Sequence, residues 1–94
     1  MAEIINKEKH TDLLAENLEV LRIKLHLTQA NIAAIIGVSR QTYMGIENKR
    51  QKITWNVFMS LLFLFRENDA TRQLLDVFGI YSDELQKYIR TSNV

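Results

Sequence analysis

Apolar residues recur along much of the chain at intervals of three and four, which is the spacing of one face of an α-helix. In the clearest run, leucines occupy positions 14, 18, 21 and 25. This run predicts a first helix that begins at Thr11, because threonine is a good N-cap and Asp12 follows it. The helix is expected to end where His26 and Leu27 interrupt the pattern.

Two short helices joined by a very short turn are predicted next. Thr28 can cap a helix over 29–36, whose apolar residues share one face, and Gly37 stands where a terminating glycine belongs. Ser39 is a strong N-cap, so a third helix is expected over about 40–48. Helices joined so closely must cross at a large angle.

Polar capping residues divide the rest of the chain into three further helices. These are a fourth from Trp55 to about Glu67 capped by Thr54, a fifth from Asn68 or Asp69 to Phe78, and a sixth from Ser82 to about Arg90. Proline is absent and glycine occurs three times, which favours helix throughout. The fold is therefore predicted to be all-α, a compact bundle of five to six helices.

Length and composition suit one compact domain, since 94 residues with 47% hydrophobic content can close a single core. Within it we expect an N-terminal extension over 1–10, a core over 11–67 and C-terminal helices over 68–94. The start of the chain lacks the features of a secretory signal. The apolar stretch 53–65 is shorter than the roughly 20 residues of a membrane span. A cytoplasmic location without membrane contact is expected.

Several kinds of chemistry find no support in the residues. The chain has no cysteine, no phosphate-binding glycine loop and no pairing of a nucleophile with a base. His10 and His26 are isolated, without a second ligand at metal-binding spacing, so they are expected to serve in loops or caps. We expect no enzyme, no metal and no cofactor.

Charge is distributed unevenly along the chain, although the net charge is only +1. Between Arg22 and Lys52 there are six basic residues and one acidic residue, Glu47, which gives +5. The remainder carries −4. A basic centre between acidic flanks is typical of a protein whose central segment meets nucleic acid.

The segment from Gln29 to Asn48 fits the pattern of a helix-turn-helix. Apolar residues stand wherever the two helices must touch, namely at Ile32, Ile36, Val38, Tyr43 and Ile46. Ala33 is small enough for the closest approach, and Gly37 provides the positive φ that the turn needs.

From Leu21 to Asn48 the sequence resembles the phage Cro and repressor type of protein, the XRE family. The resemblance is carried by Thr-Gln-Ala at 28–30, Gly-Val-Ser-Arg-Gln-Thr at 37–42 and Ile-Glu-Asn at 46–48. With a similarly patterned fourth helix up to Phe65 it covers roughly half the chain, and the segment after Asn68 shows no family motif. It implies a lambda-repressor-like helix-turn-helix core that binds double-stranded DNA.

The resemblance implies that the third helix enters the major groove and that its first residues read bases. Arg40 would then contact guanine, Gln41 adenine, and Thr42 a thymine methyl or a phosphate. Met44 and Gly45 are expected on the same outer face. Gly45 stands where many relatives carry a long polar side chain, so the middle of the helix either reads little or lets the backbone come close.

Phosphate contacts are expected around both helices. The residues assigned to them are Thr28, Gln29, Ser39, Asn48, Lys49, Arg50 and Lys52. The stretch 49–52 could equally be a simple polar linker, and Lys49 replaces the glycine that usually ends the third helix. In the family an arginine of helix one pairs with a glutamate of helix three, and Arg22 and Glu47 match those positions, which implies a structural ion pair.

The C-terminal segment is more apolar than a four-helix reader needs. We expect a dimer interface formed by Leu74, Leu75, Phe78, Tyr81, Leu85, Tyr88 and Ile89. The alternative is that helices five and six only cap the same core. The aromatic residues at 55, 58, 63 and 65 are expected in the core or an interface rather than as stacking platforms for bases.

These features together predict a transcriptional regulator, a repressor, that binds a palindromic operator as a homodimer. One alternative is an antitoxin-like or interaction module whose C-terminal segment binds a partner protein. Another is a helix-turn-helix that has lost its affinity for DNA and serves as a scaffold, for which Gly45 and the low net charge are the arguments.

Overall fold

A computed structural model describes residues 5–90, and between these limits the chain forms six α-helices. They are α1 (Lys7–Lys24), α2 (Gln29–Ile36), α3 (Arg40–Glu47), α4 (Trp55–Glu67), α5 (Asp69–Val77) and α6 (Asp83–Ile89). The prediction of an all-α bundle is confirmed. No helix within the described residues is both long and apolar enough to cross a lipid bilayer.

Most of the helices begin at a side chain that accepts a hydrogen bond from the backbone of the first turn. These caps are Asn6, Thr28, Ser39, Thr54 and Ser82. The sequence analysis located the last four of them, because serine and threonine are preferred N-cap residues and each stands where a helical pattern begins. Such a cap contributes about 1 kcal/mol by satisfying an otherwise unpaired N–H group.

The predicted start of α1 at Thr11 is wrong. The helix begins at Lys7, because the side chain of Asn6 accepts from the amide of Lys9, 3.0 Å away. The hydroxyl of Thr11 instead donates to the carbonyl of Glu8 inside the helix. Residues 7–10, expected in an N-terminal extension, are therefore the first turn of α1, whereas residues 1–4 of that extension and 91–94 of the C-terminal segment lie outside the described residues.

Four helices end in the same way, with one residue in the left-handed conformation. Gly37 (φ 80°) ends α2 and Gly79 (φ 74°) ends α5, whereas α1 and α3 use His26 (φ 55°) and Lys49 (φ 65°). In each case the following amide returns to a carbonyl in the last turn, as in the Schellman motif. The left-handed conformation is costly for a residue with a Cβ atom, so α1 and α3 end under strain that glycine would avoid.

All six helices contribute to one buried core. Its members are Leu14, Leu18, Leu21, Ile32, Ala33, Tyr43, Ile46, Ile53, Phe58, Leu61, Leu62, Phe65, Leu75, Ile80 and Leu85. Leu75 of α5 and Leu85 of α6 have no exposed surface. Two of the residues expected at a dimer interface thus belong to the core of the chain itself. Leu75 is covered because α5 packs against α1 and α4.

His10 ties the start of α1 to the start of α6. Its ring is fully buried, with Nδ1 2.8 Å from the carbonyl oxygen of Asn6 and Nε2 2.8 Å from the hydroxyl of Ser82. Because a carbonyl only accepts, Nδ1 donates to Asn6, and Nε2 is hydrogen-bonded to the hydroxyl of Ser82. The sequence analysis predicted only a loop or cap role for this histidine, and it did not extend the apolar row of Leu14 and Leu18 back by one turn to His10.

Candidate DNA interface

The corner between α2 and α3 is fixed by small and apolar residues. Ala33 is almost completely buried, which lets the two helices approach closely, and Ile32, Tyr43 and Ile46 fill the space between them. The amides of Gly37 and Val38 both donate to the carbonyl of Ala33 at 3.0 Å. The orientation of α3 is therefore set by the core rather than by surface contacts.

Arg22 and Glu47 form a two-pronged ion pair that joins α1 to α3. Nε of the arginine lies 3.0 Å from one carboxylate oxygen and Nη2 lies 2.8 Å from the other. The two side chains are only 14% and 5% exposed. Nη1 also donates to the carbonyl of Leu27 in the turn before α2. One guanidinium thus connects three segments of the corner.

The pair shifts the titration of its members. Burial alone would raise the pKa of Glu47, but the hydrogen bonds and charge of Arg22 outweigh it, so the pKa lies below its ordinary value. The hydrogen bond to Glu47 raises the pKa of Arg22 further. Burial, helped by the nearby carboxylate, raises the pKa of Tyr43, whose hydroxyl finds no hydrogen-bond partner within residues 5–90.

The start of α3 presents exposed polar side chains. Arg40 and Gln41 are exposed and form no hydrogen bond within the described range. Asn48, one helical turn beyond Met44, is exposed on the same side, whereas Met44 and Gly45 are half-buried. The face of α3 opposite Tyr43 and Ile46 is therefore free to meet a ligand along its first turn and at its end.

Residues 18–55 match the family described as helix-turn-helix. The chain carries a helix-turn-helix domain of the Cro and repressor (XRE) type. The match spans about two-fifths of the chain and includes α2, α3 and both members of the ion pair. The family consists of DNA-binding regulators of transcription, and the match supports a regulator of that kind. No curated protein and no solved structure matches the chain.

The hydroxyl groups at the starts of α2 and α3 already form hydrogen bonds within the protein. Ser39 accepts from the amide of Thr42 at 3.0 Å and donates to its hydroxyl at 2.9 Å. Thr28 and Asn31 form a reciprocal capping box at the start of α2. Thr28 and Ser39 therefore act first as caps, and Thr42, which is half-buried, has one polar contact already made.

Gln29 is turned toward the ion pair. It is half-buried, and its side-chain amide lies 3.4 Å from the carboxylate of Glu47, a long hydrogen bond. Its backbone amide stands in the first turn of α2, where no helical carbonyl can pair with it. A contact of Gln29 with a phosphate would thus begin with the backbone amide, whereas the side chain continues the network of Arg22 and Glu47.

The basic segment after α3 is exposed. Lys49, Arg50 and Lys52 all face solvent, and Lys52 forms a surface ion pair with Glu8 at 3.2 Å. Such an exposed pair is weak and is readily exchanged for another anion. Because Glu47 is neutralised internally by Arg22, the segment 40–52 presents no unpaired carboxylate to a ligand.

One neighbour of α3 was missed by sequence reasoning. The side chain of Gln51, in the loop after α3, lies against Gly45, with its Oε1 atom 2.9 Å from where a Cβ atom of residue 45 would be. The loop returns to this point because the amides of Arg50 and Gln51 both donate to the carbonyl of Gly45. No local sequence signal marks this contact, since it depends on the left-handed turn at Lys49.

The aromatic residues of α4 divide between core and surface. Phe58 and Phe65 are buried, and the ring of Trp55 stacks on Phe58 with centroids 4.7 Å apart. Phe63 is 68% exposed. Phe58 and Phe65 thus belong to the core, and Trp55 packs against it. Of the four aromatic residues at 55, 58, 63 and 65, Phe63 is the one whose ring is largely exposed within the described chain.

The remaining residues proposed for a dimer interface keep part of their surface. Leu74, Phe78, Tyr81 and Tyr88 are half-buried, and Ile89 is exposed. More apolar surface lies beside them at positions that the sequence analysis did not select. Val77 is 74% exposed, and a shallow groove between α1 and α5 is lined by Val20, Ile23, Lys24, His26 and Ala70.

Proposed function

We propose that the protein is a transcriptional repressor that binds a palindromic operator as a homodimer, with α3 of each subunit in the major groove. The observation that carries the proposal is the state of Arg40 and Gln41, which are exposed at the start of α3 and make no hydrogen bond within residues 5–90. Their guanidinium and carboxamide groups suit guanine and adenine respectively.

The charge distribution supports phosphate binding beside these readers. Lys49 and Arg50 are exposed directly after α3, and Lys52 is held only by a surface pair with Glu8. Internal neutralisation of Glu47 removes the charge of the one carboxylate within the segment 40–52. Release of counterions from the bound phosphates would then make affinity fall steeply with salt.

A homodimer is proposed because one short helix reaches too few base pairs for a specific site, whereas two copies read half-sites about 34 Å apart. The surface we assign to the second copy is the apolar strip on α5 formed by Ala70, Leu74 and Val77, which are spaced as one helix face. It continues into the groove beside Ile23 of α1. Leu75 and Leu85 are excluded from it, since both are buried.

A second candidate function is an antitoxin-like or protein-interaction module. The observation in its favour is the exposure of Phe63 on α4 and Val77 on α5, which a partner protein could cover. In that case the α3 surface would be secondary, and the wild-type protein would select no sequence from random DNA.

Selection from random duplexes tests the proposal directly. The wild-type protein should enrich a palindrome, and Arg40→Ala and Gln41→Ala should each relax the preference at a different base pair of both half-sites by about tenfold. Arg72→Ala and Gln73→Ala on α5 remove the same side-chain types away from α3 and serve as matched controls. Unchanged preferences in both α3 variants, with bulk affinity retained, would refute the assignment of the readers.

A further inference from the structure

Gly45 leaves a gap in the outer face of α3 that a neighbouring segment fills. Helical spacing puts residue 45 in the same row as Gln41 and Asn48. No side chain extends from Gly45 itself, and the space where its Cβ would stand is taken by the end of the Gln51 side chain, at 2.9 Å. The surface of α3 at this point is therefore formed by a residue of the following loop.

Backbone contacts hold Gln51 in this place. Lys49 turns the chain back with φ 65°, and the amides of Arg50 and Gln51 then donate to the carbonyl of Gly45 at 2.8 and 3.1 Å. The position of the Gln51 backbone is thus fixed relative to α3. Its side chain needs to order only its own rotamers when it binds a ligand, which keeps the entropic cost low.

The carboxamide of Gln51 is chemically available. The residue is exposed, and its side chain makes no hydrogen bond to any residue from 5 to 90. A glutamine carboxamide carries one acceptor and two donor hydrogens and can bind the major-groove edge of adenine in bidentate fashion. The adjacent bases Lys49, Arg50 and Lys52 would bring the DNA backbone to the same side.

We propose that Gln51 is a specificity-determining residue, which reads one base pair in each half-site in place of the side chain that Gly45 lacks. This inference rests on the proposed function, because it assumes that α3 lies in the major groove. In this arrangement the loop residue contacts the base pair that Gly45, in the middle of α3, has no side chain to contact.

Two variants test the inference from opposite sides. Gln51→Ala removes the carboxamide, and Gly45→Ala introduces a Cβ that must displace it. Displacement is cheap because the contacted atom is the end of a flexible side chain, so Gly45→Ala should fold and melt at a higher temperature than the wild type. In selections from random duplexes, both variants should lose about tenfold preference at the same base pair. Gln73→Ala is the control.

The outcomes separate the inference from the proposed function. If the wild type selects a sequence and Arg40→Ala relaxes it, but Gln51→Ala selects the same sequence as the wild type, Gln51 is not a reader. A uniform loss of affinity for all sequences in Gln51→Ala would also overturn the inference, because it indicates a phosphate contact. If the wild type selects nothing, the proposed function fails and the inference fails with it.

Discussion

The guanidinium of Arg22 on α1 holds the carboxylate of Glu47 on α3 through two hydrogen bonds of 3.0 and 2.8 Å. This contact links α1, the longest of the described helices, to the helix that we propose enters the major groove. Because both side chains are largely buried, neither can lose its partner without leaving a charge in a poorly solvated place. The pair therefore governs how firmly α3 is held, and its removal has predictable consequences.

Removing one member of the pair should destabilise the fold more than removing both. We expect Glu47→Leu to lower the free energy of unfolding by about 3 kcal/mol, because the charge of Arg22 is then left unpaired. The double variant Arg22→Met with Glu47→Leu should recover most of this loss, since an apolar pair of similar volume needs no charge compensation. Urea unfolding measures both. Simple additivity of the two single changes would contradict the assignment.

Acid should weaken the fold through Glu47. Its pKa is lower in the folded chain than its ordinary value of 4.5, so its contribution to stability is complete above that pH. The contribution is lost as the pH falls from 4.5 through the lowered folded pKa. The difference in unfolding free energy between the wild type and Glu47→Gln should therefore shrink over this range. A difference that stays constant between pH 7 and pH 3 would show that the carboxylate is not stabilised by Arg22.

The left-handed turn at the end of α3 offers a stabilising substitution. Lys49 adopts φ 65°, which costs a residue with a Cβ about 1 kcal/mol or more relative to glycine. Lys49→Gly should raise the free energy of unfolding by about 1 kcal/mol and the melting temperature by about 4 to 8 °C. Arg50→Gly removes the same charge at a position without positive φ and should bring no gain. Equal melting temperatures for the two variants would count against strain at Lys49.

The buried histidine should control the attachment of α6. His10→Ala removes its hydrogen bonds to Asn6 and Ser82 and its edge contact with Phe58, so we expect a loss of about 2 kcal/mol. Hydrogen exchange should accelerate most in α6, because the ring is a direct link between α6 and α1. Ser60→Ala, which deletes an exposed hydroxyl on α4, is the control. Uniform acceleration in all helices would mean that the ring stabilises only the core as a whole.

The dimer surface proposed on α5 can be tested without disturbing the core. Val77 is 74% exposed, so Val77→Glu should leave the melting temperature of the subunit nearly unchanged while it converts the dimer to a monomer. Sedimentation equilibrium gives the mass of the species in solution. Asn56→Glu introduces the same charge at an exposed position of α4, outside the α5 strip, and it should leave the mass as in the wild type. A monomeric wild type, or a dimeric Val77→Glu, would refute this surface.

Much of the fold could be predicted because its signals are local. The bounds of α2 and α4 follow from Thr28, Thr54 and the apolar runs behind them, and the pairing of Arg22 with Glu47 follows from the family resemblance. The start of α1 was missed, since its first turn is polar and its buried residue there is a histidine. A periodic pattern of apolar residues gives no indication that a polar residue such as His10 is buried.

The parts of the site that escaped prediction depend on contacts between distant or irregular segments. The pattern marks Leu75 and Leu85 as apolar, but it does not say whether the same chain or a second copy covers them. Likewise, residue types alone do not reveal that Lys49 turns left-handed, and without that turn Gln51 has no reason to lie on Gly45. Such relations become visible only when the path of the backbone is known.

The link between His10 and Ser82 also bears on how the protein matures during synthesis. The two side chains are separated by 72 positions in the sequence. While the ribosome is still making α4 and α5, the imidazole has no hydroxyl to bind, and the first turn of α1 lies open to water. The nascent chain therefore closes this contact between α1 and α6 only after Ser82 has emerged from the ribosome, which is later than the emergence of α2 and α3.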